Sequence, residues 1–94
     1  MFESFVITDH IMERYLKRVA KTKKDVVKRI RKDLHFSKVK QIINNGNVRH
    51  VFTFHSKEFI FVKDGSVWVL KTIIKRNRAT NEEAIEKRKQ LLSA

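Results

Sequence analysis

Apolar residues recur along this chain in two rhythms. Between residues 9 and 20 they fall at Ile11, Met12, Tyr15, Leu16 and Val19, the stripe of one helix face. Thr8 or Asp9 can cap its start. A second helix over 22–34 opens with Thr22 and Asp25, a variant capping box, and buries Val26, Val27, Ile30 and Leu34. Then the rhythm shortens. Residues 48–54, 58–63 and 67–74 are rich in Val, Ile and Phe and predict strands, as does the short run 2–7 before the first helix. Residues 38–43 can start as a helical turn capped by Ser37. The run Asn44-Asn45-Gly46-Asn47 that follows is a hairpin signal and favours a strand. Asp64-Gly65 marks a second hairpin with Lys63 opposite Ser66, which sets Glu58 against Lys71 and Lys57 against Thr72. The last strand is apolar on both faces, as a central strand is. Thr80 and Glu83 form a capping box for a final helix over 80–92.

The order β-α-α-β-β-β-β-α predicts one α+β domain over 1–94, with its core in 2–76. A helical hairpin should pack on a mostly antiparallel sheet of four to five strands, followed by a C-terminal helix. The second sheet face is expected to stay free of helices. A chain of 94 residues suits a single domain. Cysteine is absent, which excludes disulfides and cysteine-based zinc sites. No apolar run reaches membrane-spanning length, and residues 1–10 do not read as a signal peptide, so a cytoplasmic protein is expected.

Charge changes the picture most. The chain has 22 Lys and Arg against 10 Asp and Glu, a formal charge of +12. Between Arg14 and Lys40 there are twelve Lys and Arg and only two acids, Asp25 and Asp33. Such clustering suits a polyanion, because neutralising phosphates releases their counterions. Lys17, Lys24, Lys28, Arg29, Arg31, Lys32, Arg49 and Lys75 are the candidate nucleic-acid contacts, and RNA or a ribosome is the expected partner.

Within the first helix, His10, Arg14 and Arg18 lie four residues apart and form a ridge opposite the apolar stripe. Positive side chains in a row repel one another, and a helix N-terminus disfavours positive charge at His10. The same N-terminus offers free N–H groups to a phosphate. The plain alternative is a solvated helix face, since Arg and Lys are good helix formers.

The run His10-Ile11-Met12-Glu13-Arg14-Tyr15-Leu16-Lys17-Arg18, H-x-x-x-R-x-x-x-R, resembles the opening of small prophage and toxin-type domains. Those domains also carry a threonine in a late strand, here in Val69-Leu70-Lys71-Thr72-Ile73-Ile74. They are similar to the RelE-like ribonuclease fold shared with barnase and colicin-type nucleases. Ile11 stands where the family usually has a small residue. The resemblance implies metal-independent RNA cleavage, with His10 as acid or base, Arg14 and Arg18 as phosphate clamps and Thr72 bonded to phosphate or ribose. It also implies an acidic antitoxin as a further partner. No cofactor is expected.

Other classes fit less well. A metal nuclease needs converging carboxylates, and the acids here are scattered. A helix-turn-helix reader would use the very basic second helix, but the Ala20-Lys21-Thr22 turn lacks glycine and that helix lacks Asn and Gln. A non-catalytic regulator that occupies RNA or a protein surface remains the alternative. Phe52, Phe54, Phe59, Phe61 and Trp68 could stack on bases, but at strand spacing aromatics more often fill a core. His50 and His55 are minor candidates.

Overall fold

The computed structural model describes residues 5–18 and 20–93. The expected strand positions 2–4, and Val19 of the first helical stripe, lie outside the described residues. The elements are β1 (Val6–Ile7), α1 (Asp9–Arg18), α2 (Lys23–Asp33), a 3-10 turn (Phe36–Lys38), β2 (Val39–Asn45), β3 (Val48–Thr53), β4 (Lys57–Asp64), β5 (Val67–Lys75) and α3 (Arg78–Ser93). The fold is α+β, with one five-stranded sheet in the order β1-β5-β4-β3-β2. Only β1 and β5 run parallel; the other neighbours are antiparallel.

Local chemistry sets most boundaries. Thr22 caps α2, its hydroxyl accepting from the Asp25 N–H at 3.2 Å. Gly46 (φ 60°) and Gly65 (φ 63°) open the two hairpin loops, where only glycine adopts that backbone without strain. Residues 36–43 contain both expected forms, a short helical turn and then a strand. His35 caps that turn, accepting from the Ser37 N–H. The start of α3 differs from expectation. Asn77, not Thr80, is the cap: its Oδ1 accepts from the Thr80 N–H at 2.9 Å and from the Thr80 hydroxyl at 3.0 Å.

The helical hairpin covers one sheet face. Ile11 from α1 and Val26, Ile30 and Leu34 from the second helical segment meet Val51, Phe59, Phe61 and Leu70 of the sheet, and all are buried. At roughly 25 cal/mol per Å² this apolar core supplies the main driving force. The opposite face is not helix-free as expected. Ala84 and Ile85 of α3 pack on Ile43 and Phe52, covering the β2–β3 part.

Register departs from the sequence reading in a decisive way. The loop is Gly65-Ser66, with Asp64 opposite Val67 and Lys63 opposite Trp68. A bulge follows: Phe61 pairs with Leu70 but Ile60 pairs with Thr72, leaving Lys71 without a partner strand residue. Glu58 therefore faces Ile74 rather than Lys71, and Lys57 faces Lys75 rather than Thr72. The expected Glu58–Lys71 ion pair is not formed.

Glu58 instead anchors α3. It is fully buried, with Arg76 Nη1 2.6 Å from Oε1, and with His50 Nδ1 at 2.6 Å and Arg88 Nε at 3.2 Å from Oε2. Burial pushes its carboxyl pKa up, but the bonds from Arg88, Arg76 and His50 outweigh that and hold it below the ordinary value. Lys40 of β2 pairs with Glu82 and ties α3 to the sheet at a second point. Among the described residues no helix is long and apolar enough to cross a membrane.

Removing one partner of a buried ion cluster leaves the others unpaired. Glu58→Ala should cost about 3–5 kcal/mol, read as a lower urea midpoint. The unfolded carboxyl titrates near about 4.3, so the stabilisation is complete above that pH and lost as pH falls through the lower folded value. Wild-type and variant stabilities should converge in acid; a constant gap down to pH 2 would contradict this assignment.

Candidate nucleic-acid interface

The bulge determines which side chains of β5 meet α1. Ile73 and Lys75 point toward the helical hairpin, and Thr72, opposite Ile60, points to the other face. Arg14 and Arg18, one turn apart on α1, join Ile11, Tyr15, Ile73, Lys57 and Lys75 around a cavity of about 310 Å³. A second cavity of about 830 Å³ adjoins it, and Tyr15 and Lys57 line both. Its walls include Lys28, Arg29 and Lys32 of α2, Lys21 between the helices, and Lys38 beside β2. Together the two cavities form one groove lined, among the described residues, by nine Lys and Arg and two acids, Asp25 and Asp33.

The groove holds its charge against a cost. Lys57 and Lys75 are directly opposed on neighbouring strands, where like charges destabilise a sheet. Asp33 offsets part of this, its Oδ2 accepting from Lys57 Nζ at 3.4 Å. Tyr15, half-buried, contributes to the walls of both cavities. Burial raises its phenol pKa and Asp33 raises it further, while Arg14 and Arg29 pull the other way without reversing the shift. At neutral pH it keeps its proton and can donate to a phosphate oxygen.

The residues singled out from sequence divide into groups. Arg14, Arg18, Lys28, Arg29, Lys32 and Lys75 share the groove. His10 is exposed in the first turn of α1, outside the groove lining. Lys17, Lys24 and Arg31 are exposed but also outside that lining, and the Arg31 guanidinium lies 5.5 Å from the Phe5 ring centroid. Arg49 stacks 4.3 Å over Trp68 and donates to Asn44 Oδ1 at 2.7 Å. Thr72 sits on the opposite sheet face from Arg14 and Arg18, because the bulge at Lys71 breaks the alternation that would have put it beside Trp68 and Leu70. The four-residue constellation of His10, Arg14, Arg18 and Thr72 is thus not assembled in one place.

Lys21, Lys38, Lys57 and Tyr15 line the groove but were not singled out. Tyr15 reads as part of the apolar stripe, and Lys57 joins only through the β4–β5 register. His50 is committed to Glu58, and His55 is exposed in the β3–β4 turn. Among the described residues no three His, Asp or Glu side chains converge as a metal site would require. Comparison with known protein families, curated proteins and solved structures finds no match to this chain.

A groove that concentrates like charge should trade stability for binding. Lys75→Met removes the opposed pair, and it should raise stability by about 0.2–1 kcal/mol while shortening retention on a heparin column. Thermal unfolding and elution salt, measured on the same samples, check both halves; a destabilised variant would refute the repulsion argument.

Proposed function

We propose that this protein binds RNA through the groove between the helical hairpin and the ends of β4 and β5. One observation carries the reading: among the described residues, nine cations from α1, α2, the loop between them, the 3-10 turn and two strands line two adjoining cavities with two acids. Separate segments supply these charges, so their convergence is a property of the tertiary structure and not of one basic helix. The ligand chemistry is that of a phosphodiester chain: Arg14 and Arg18 supply forked donors, Lys57 and Lys75 supply point charges, and Tyr15 adds a hydroxyl donor. The concave form favours a flexible single strand over a DNA duplex, because Lys28, Arg29 and Lys32 of α2 line a cavity rather than project from a ridge. The same reading extends to a cytoplasmic setting and to an acidic protein partner that would compete with RNA for the groove.

Cleavage is a second reading, and His10 favours it. Its exposed imidazole lies one helical turn before Arg14, within the span of a nucleotide bound at Arg14 and Arg18. In metal-independent cleavage a base takes the proton of the 2'-hydroxyl, which attacks the phosphorus as the 5'-oxygen leaves and is protonated. The arginines would hold the added negative charge.

Arg14→Ala with Arg18→Ala should weaken binding to a single-stranded RNA and lower the slope of log affinity against log salt by about 0.7 for each cation lost. Unchanged affinity and slope would exclude the groove as the binding surface. Incubating wild type and His10→Ala with total RNA in EDTA separates the two readings. Fragments from wild type alone mean cleavage, and intact RNA in both means binding without chemistry.

A further inference from the structure

Among the described residues, the large aromatic side chains left exposed are Phe36, 73% exposed, and Phe54, 63% exposed. The other phenylalanines of the sheet, Phe52, Phe59 and Phe61, are fully buried. Both exposed rings sit at the same end of the molecule. Phe54 directly follows β3 and Phe36 opens the turn before β2, and the Phe54 N–H donates to the Lys38 carbonyl at 2.9 Å, joining the two segments. Lys38 and the neighbouring Lys32 and Lys57 line the larger cavity of the basic groove.

Neither segment is loose. The Ser37 N–H donates to His35 Nδ1 at 3.3 Å, and the Ser37 hydroxyl lies 2.8 Å from the same nitrogen. The His35 ring lies 4.4 Å from the Phe36 ring at an interplanar angle of 33°, so Phe36 is backed on one side. The Phe54 turn is fixed by the Ser56 N–H donating to the Thr53 carbonyl at 3.1 Å and the Lys57 N–H donating to Thr53 Oγ1 at 3.3 Å. Ser56 itself is held at φ 63°, an uncommon backbone for a residue with a side chain. Two phenyl rings are therefore held in water by ordered backbone, beside a row of lysines.

We infer that Phe36 and Phe54 form a base-stacking platform at the end of the groove, and that its ligand is the unpaired bases of single-stranded RNA whose phosphates lie along Lys32, Lys38 and Lys57. The inference rests on the RNA reading above and refines it. Flat apolar faces flanked by cations match a nucleotide, which presents an aromatic face and a phosphate at neighbouring positions. Stacking tolerates any base, so the platform adds affinity for unpaired strands without fixing sequence.

The test uses the full chain, wild type and a Phe36→Ser, Phe54→Ser double variant, against three probes. These are a short single-stranded adenosine oligonucleotide, a base-free ribose-phosphate strand of equal length, and heparin. The variant should unfold at the wild-type Tm, since both rings are exposed. It should bind the oligonucleotide roughly tenfold more weakly. The salt slope and the affinities for the base-free strand and heparin should not change. Equal losses on all three probes, or no loss on the oligonucleotide, would overturn the platform. The second outcome would assign the rings to another partner. Wild-type protein that holds heparin but neither RNA-like strand would overturn the RNA reading and the platform with it.

Discussion

One residue in β5 has no partner in β4, and much of the molecule follows from it. Lys71 is the extra residue of the bulge between the Leu70 and Thr72 pairings. Before it, Trp68 and Leu70 face the helical hairpin; after it, Ile73 and Lys75 take that side. Without the bulge, strand alternation would turn Ile73 and Lys75 to the far face. The same register sets Glu58 opposite Ile74, on the face where Arg76 and Arg88 meet it. The basic groove and the buried ion cluster are thus two sides of one irregularity.

The two sides are electrostatic opposites. Around Glu58 the charges converge: a single buried carboxylate gathers Arg76, Arg88 and His50 within ion-pair distance and holds α3 down. In the groove the cations outnumber the acids and face solvent. Lys57 marks the contrast, since it is opposed to Lys75 in the sheet and pairs with Asp33 at 3.4 Å. Interior charge here specifies where a helix lies, and surface charge is left unbalanced for a ligand. The apolar layer between them, from Val51 through Phe59 to Leu70, keeps the two apart.

The elements were largely legible in the sequence because their signals are local. Thr22, Gly46 and Gly65 each act within a few residues, and the stripes of α1 and α2 need only helical period. The bulge was not legible. Residues 67–74 are apolar on both faces, so an added residue leaves no break in pattern, and the face of Thr72 could not be read. The α3 cap was ambiguous for a similar reason, since Asn77 and Thr80 are both capping residues and only the tertiary path selects one. The docking face of α3 was hidden because it buries Asn81 and half-buries Arg88 beside Ala84 and Ile85, a mixed surface without an apolar stripe. Of the groove, Arg14 and Arg18 could be found by spacing along one helix. Lys57 and Tyr15 belong to it only through register and packing. The aromatics divided against expectation at one position: Phe52, Phe59 and Phe61 are core, but Phe54 falls beyond the end of its strand and is exposed.

β2 lies at the rim of the sheet, where an unpaired strand edge can recruit a strand from another molecule. Its pairing with β3 skips Lys40, which sits between Val39 and Gln41 as an irregularity and is tied to Glu82 of α3. The opposite rim, β1, is only two residues long. A neighbouring copy that began to zip along β2 would meet a kinked backbone and a cation near its first rungs. A sheet rich in Val, Ile and Phe thus carries on each margin a feature that opposes strand addition, an irregularity with a paired lysine on one side and a very short strand on the other.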